Sequence, residues 1–356
     1  MPRRPLPSDP RRPTSSDVAA LAGVSRTTVS FVLNERTDIQ IPEDTRQRVR
    51  QAAVDLGYHP HTPARRLAQR ATRTLGFVLR QSPEQVAGDA LLAETLRGIS
   101  TAAHLAGYRV LVEALVPGNG QSYAALLRSS EVDGLVLSGP RSDDRELGDL
   151  VREEFPIVVQ GRLSDRDVPS VDIDNEAGSR EAVEHLIGGG HRRIACITNA
   201  PLEYTSAADR LAGYRSALDA AGIPFDPRLV ACAAFDPASG RAAMRSLLQQ
   251  NPERFSAVFV ASDVVAVGAI GALREAGLRV PADVAVVGFD DIPLAGFVDP
   301  ALTTVRVPAH ELGLAAGTAL LDRLAGQPVD TRTLLPTELV VRASSVSRAP
   351  TTRSGP

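Results

Sequence analysis

Within "SRTTVSFVLN", Ser25 to Asn34, the guanidinium of Arg26, the hydroxyls of Thr27 and Ser30 and the carboxamide of Asn34 fall at spacings that share one side of a helix. Such groups exchange hydrogen bonds with base edges. Arginine suits guanine, asparagine suits adenine, and serine or threonine suits either, while an apolar face can lie against a thymine methyl. Phe31 stands among them and admits two readings, a contact to thymine methyls or packing between helices. The hydroxyl residues Ser16, Ser25 and Thr28, near the starts of two short helices, complete the candidate duplex contacts of this segment. The chemistry is recognition rather than bond making.

These side chains need a scaffold that holds them outward. Ser15, Ser16 and Asp17 are capping types that open a first helix with Val18, Leu21 and Ala22 at helical spacing, and Gly23 allows a sharp turn. Ser25 caps a second helix in which Val29, Val32 and Leu33 form the face that packs on the first. A third, entered at "IPEDTRQRV" behind Pro42, buries Val49, Ala53 and Leu56 before Gly57 ends it. The result is a compact helix-turn-helix unit, its second helix thin enough for the major groove. The bland alternative is a three-helix module for protein contacts.

Downstream, "LGYHPHTPARRLAQRATRTLGFVL" places Pro60 and Pro63 before a segment, Ala64 to Gln69, too short to be a stable helix alone. Paired across a dimer, it would project Leu67 from each copy with Arg65, Arg66 and Arg70 around it. That is the composition of an apolar wedge flanked by phosphate contacts in a minor groove. Unpaired, it is a solvated basic linker.

A chain of 356 residues with 43% hydrophobic side chains exceeds one core and predicts two or three domains. Its basic residues are all arginine, and the formal charge of -3 hides an asymmetry. Residues 1–73 hold 13 arginines against 7 acidic residues, the remainder 26 against 35. One end is therefore suited to a polyanion. Two cysteines, Cys196 and Cys232, are too few for a disulfide framework and lack metal-site spacing, which fits a reducing cytoplasm; no cofactor or metal is expected. No export-signal core or run of roughly 18 apolar residues predicts a membrane role.

Beyond residue 73 the apolar runs "TLGFVL", "YRVLVEAL", "GLVLSG" and "IVVQG" alternate with helical stretches, and "RRIACIT", "AVFVAS" and "VAVVGFDD" repeat the pattern. Two doubly wound lobes follow. "RLSDRDVPSVDIDNEAG" reads as a crossover and "TTVRVPAHELG" as a return, so a hinged cleft forms at the carboxyl ends of the strands. No G-x-G-x-x-G follows a strand, no Walker lysine exists, and no G-x-S-x-G elbow is present, so an enzyme is not expected. "GGGH", Gly188 to His191, is a helix-to-strand loop, the wrong orientation for a phosphate cradle. Two classes remain: a DNA-binding regulator with a small-molecule sensor, or a free-standing solute-binding protein.

The combination "DVAALAGVSRTTVSFVLN", "TRQRVRQAAVDLGYHP" and "ARRLA" opening into a strand resembles the lactose-repressor/galactose-repressor family of bacterial transcription regulators, over residues 14–345. The resemblance implies an all-α helix-turn-helix domain over 14–60 and a hinge helix over 61–73. An α/β, periplasmic-binding-protein-like effector and dimerisation domain with doubly wound parallel sheets follows over 74–345. Its lobes are expected at about 74–173 with 307–329 and at about 174–306 with 330–343. Segments 1–13 and 346–356 are expected to be disordered, and the tail lacks the leucine heptads of a tetrameriser.

In that family the second helix reads the major groove and hinge leucines enter the centre of a palindromic operator, roles that fall here on Arg26, Thr27, Ser30 and Leu67, with Ala64 and Arg65 beside it. Arg210, Asp290, Phe235 and Ser262 match effector-contact positions, and Asp174 and Arg80 join them as candidates. The implied partners are double-stranded DNA, a second copy of the chain and a small molecule, a carbohydrate by default. The sequence departs in four places. Phe31 stands where Arg or His is common and His61 where Asn is. "RQSPEQVAGDALLAE" replaces an Asn-Pro-Phe-Phe type loop, and Val307 replaces a polar contact.

Overall fold

The computed structural model describes residues 13–33, 39–58, 72–116, 122–128, 131–163, 168–251 and 253–346, in two compact units divided after Thr72. The first unit packs α1 (Ser15–Ala22), α2 (Arg26–Leu33) and α3 (Glu43–Asp55) around Val18, Val29, Val32 and Val49. Each of these is essentially fully buried, worth roughly 1.5–3 kcal/mol apiece by transfer. The cap of α1 is Thr14, which forms a reciprocal capping box with Asp17, and Gly23 ends the helix at φ 63°. Leu21, expected inside, is 56% exposed: Val18, Ala19 and Ala22 form the buried stripe instead.

The second unit opens with β1 (Thr74–Leu79), α4 (Pro83–Gly88), α5 (Leu92–Leu105), β2 (Arg109–Ala114), α6 (Tyr123–Arg128), β3 (Gly134–Ser138), α7 (Arg145–Arg152), β4 (Ile157–Gln160) and β5 (Ser170–Ile173). All pairings among these strands are parallel. Strand β1 is buried along its whole length because helices cover both faces of a parallel sheet, which explains its unbroken apolar sequence. The second lobe follows with α8 (Asn175–Gly188), β6 (Ile194–Thr198), α9 (Thr205–Ala220), β7 (Val230–Cys232), α10 (Pro237–Gln250), β8 (Ala257–Val260), α11 (Asp263–Glu275) and β9 (Ala285–Val287). Its sheet runs β7-β6-β8-β9.

The chain then returns through β10 (Thr304–Arg306), α12 (Ala309–Leu324), β11 (Arg332–Leu335) and β12 (Glu338–Val340). Helix α12 packs on α5 so closely that a methyl at Gly98 would overlap the His310 carbonyl, and one at Gly313 the Thr95 carbonyl. Two expectations change here. Residues 170–173, read as part of a crossover, are the strand β5. Residues 330–343, assigned to the second lobe, divide: β11 pairs in parallel with β5 and gives the first sheet the order β11-β5-β4-β3-β1-β2, while only β12 returns, antiparallel to β10. The physical reason is edge coverage. Without β11 the backbone of β5 would present an open row of donors and acceptors.

Candidate functional site

On α2 the burial of Val29 and Val32 fixes which face is free. Ser25 caps the helix: its Oγ accepts from the Thr28 amide at 3.1 Å and lies 2.9 Å from Thr28 Oγ1. Arg26, Thr27 and Ser30 are exposed beside it, Thr28 and Phe31 are half-buried, and Ser16 is exposed on α1. Thus Ser25 and Thr28 are engaged in holding the helix start, and Arg26, Thr27 and Ser30 form its outward polar face. The candidates Asn34, Ala64, Arg65 and Leu67, and His61, lie outside the described residues.

The second site is the cleft between the lobes, where strand ends converge on a cavity of about 170 Å3. That exceeds the roughly 30 Å3 share of one water, so the space suits a small molecule. Arg210 rises into it from α9. Its Nε donates to Asn175 Oδ1 at 2.9 Å, and its Nη1 to the Ala261 carbonyl at 2.7 Å and to Asp290 Oδ1 at 3.2 Å, while the guanidinium stacks 3.8 Å over the Phe289 ring. These contacts hold one planar group from three sides.

Asp290 follows β9 with φ 118°, a left-handed conformation costly for a residue with a Cβ. Two bonds hold it there: its N–H donates to the Val305 carbonyl at 2.8 Å and its own carbonyl accepts from the Val307 N–H at 3.2 Å. Burial raises its carboxyl pKa, against the lowering pull of Arg210. Behind it Asp263 is held well above the carboxylate range by burial and by the Asp290 charge, and it accepts from Thr304 Oγ1 at 2.6 Å and the Ile292 N–H at 3.0 Å. Asp172, at the end of β5, is pushed up to about 6 by burial, although Ile173 N–H and Asn175 Nδ2 both donate to its Oδ1.

Of the expected effector residues, Arg210, Asp290, Phe235 and Ser262 line this cavity, as does Val307. Phe235, at φ 63°, meets Tyr204 edge to face. Asp174 is not among the residues that line it: it leaves β5 to cap α8, accepting from the Ala177 N–H at 2.9 Å, and faces an adjoining polar groove. Arg80 does not belong either. Its side chain turns to Asp144 at 3.5 Å and lies over the Tyr123 ring, and its carbonyl, which accepts from Tyr204 Oη–H, is one of the ties between the two lobes.

Sequence reading missed Gln81, Asp89, Gln160, Asp172 and Asn199, all of which line the cavity. Gln81 Oε1, Gln160 Oε1 and Asn199 Oδ1 are buried with no hydrogen-bond partner among the described residues, a costly arrangement that an incoming donor relieves. Their signal was positional. All but Asp89, which follows α4, are polar residues at or just beyond the carboxyl end of an apolar strand. Among the described residues no group of His, Cys, Asp and Glu is arranged to hold a metal ion.

A helix-turn-helix unit joined to a two-lobed α/β domain with a polar cleft defines a DNA-binding regulator with a ligand sensor. The model of the bacterial regulatory proteins, lacI family, matches residues 14–61, and that of the periplasmic binding protein-like domain matches 183–345. The HTH-type transcriptional regulator CelR of Thermobifida fusca is 38% identical over 94% of this chain and 98% of its own. A solved CelR–cellobiose complex has a TM-score of 0.71 at 37% identity, covering 94% of this chain and 100% of that one. The lac repressor dimer bound to operator and the anti-inducer ONPF has a TM-score of 0.82 at 30% identity, covering 95% and 100%. The chain belongs to the lacI family and is a helix-turn-helix transcriptional regulator. A free-standing solute-binding role finds no support beside the match over 14–61.

Proposed function

We propose that this protein is a repressor that binds an inverted-repeat operator as a homodimer and that a carbohydrate in the cleft changes its operator affinity. The observation that carries the DNA half is the exposed polar face of Arg26, Thr27 and Ser30 on a helix whose other face is buried. Two such helices, one per subunit, reach successive major grooves about 34–36 Å apart. The hinge segment around Leu67 orders on DNA and wedges its centre, its ordering cost offset by phosphate contacts. The similarity to the lac repressor dimer bound to operator supports operator binding as a dimer.

The ligand half rests on the donor and acceptor inventory of the cleft. Carboxamides at Gln81, Gln160 and Asn199 and carboxylates at Asp172 and Asp290 accept hydrogen bonds, and Arg210 donates them. Hydroxyl groups both donate and accept, so a polyhydroxyl ligand satisfies such a wall from every side. The similarity to a regulator solved with cellobiose supports the same class. The role is non-catalytic and belongs to the cytoplasm, where the operator is. No described helix is long and apolar enough to cross a membrane.

The deciding experiment is selection of bound duplexes from a random pool, with and without a panel of sugars. The expected result is an inverted repeat whose recovery changes with one class of sugar. Recovery of no inverted repeat over random duplex would overturn the reading.

A further inference from the structure

The charged side chains that line the cleft are unevenly matched. Asp290 is paired with Arg210, which leaves that couple near neutrality. Asp89, between α4 and α5, and Asp172, on β5, face the same cavity and have no ion-pair partner among the described residues. Their hydrogen bonds come from neutral donors: Asp89 Oδ1 accepts from the Leu91 N–H at 3.0 Å, and Asp172 Oδ1 from Ile173 N–H and Asn175 Nδ2 at 2.8 and 3.1 Å. Two nearby arginines are already matched, Arg162 to Asp209 at 2.5 Å and Arg141 to Asp143 at 2.8 Å. Among the described residues the cavity therefore carries two carboxyl groups outside any direct ion pair, Arg210 favouring the charged form of Asp172 only at longer range.

The buried amide oxygens of Gln81, Gln160 and Asn199, without partners among the described residues, are a second and independent observation. They too are acceptors, so the wall offers negative charge and lone pairs to whatever enters. A phosphate or carboxylate would bring more of both.

Resting on the carbohydrate reading above, we propose that the cleft is a charge filter, which admits neutral or amino-bearing saccharides and rejects phosphorylated and uronic ones, with Asp172 as a principal selector. Like charges about 8 Å apart at an effective dielectric of about 20 weaken binding by roughly thirtyfold.

The test is titration calorimetry on the full-length protein with cellobiose and common monosaccharides, each compared with its 6-phosphate, uronate and 2-amino forms. Anionic forms should bind roughly thirtyfold more weakly than their neutral parent. Asp172→Asn, which keeps the oxygen that Ile173 and Asn175 bind, should narrow that ratio roughly tenfold. Asp89→Asn provides the same measurement should the first variant fail to fold. An anionic form binding as tightly as its parent, or ratios unmoved in the folded variants, overturns the filter and leaves the carbohydrate reading standing. Binding of no saccharide in any form overturns the carbohydrate reading and the filter with it.

Discussion

At the scale of single residues the cleft is a place where burial and charge are in tension. Asp172 shows it most plainly, since burial moves its carboxyl pKa from an ordinary 3.8 to about 6. A carboxyl pKa raised by folding contributes stability that is complete below the ordinary value and is lost as pH climbs through the raised one. Melting the ligand-free protein from pH 4 to 7.5 should therefore show Asp172→Asn gaining on the natural protein between about pH 4 and 6 and keeping a constant difference above that. A pH-independent difference would mean that the carboxyl is not desolvated. The resemblance made Arg210 and Asp290 legible because position alone identified them. Asp172 and Asp174 were not separable in the sequence "SVDIDN". Only the turn from β5 into α8 sends Asp174 to a helix cap and leaves Asp172 on the cavity wall.

At the scale of elements, the apolar runs announced their strands, since parallel strands covered on both faces admit few polar residues. The short edge strands β7, β11 and β12 went unread because half-exposed sequences such as "RTLL" carry little periodicity. Helix packing was equally silent. The approach of α5 to α12 depends on glycines that the sequence shows only as gaps in a helical pattern. Gly98→Ala must push the two backbones apart, and a loss of roughly 1–3 kcal/mol in urea unfolding is expected. Gly188→Ala, at the end of α8 where a methyl meets open space, is the matched control and should be neutral or slightly stabilising. Equal effects at both positions would refute the tight-packing account.

At the scale of the whole molecule, the proposed mechanism couples two binding events, and coupling is reciprocal. If a saccharide lowers operator affinity by some factor, operator must lower saccharide affinity by the same factor, commonly about 5- to 150-fold. Leu67 belongs to this scale, although it lies outside the described residues. In gel-shift titrations Leu67→Ala should lose roughly tenfold or more in specific operator affinity, with non-specific binding and thermal melting unchanged. Undiminished operator affinity would remove the wedge.

Asp290 gives the sensor a particular economy of parts. Its side chain forms part of the receptor wall, while its main chain is stitched on both sides to the 305–307 segment that feeds α12. If the proposed ligand bonds the carboxylate, it pulls directly on the strap that joins one lobe to the other, with no relay in between. Under the proposed mechanism receiver and lever are one amino acid, so substitutions of Asp290 are expected to change grip and response together.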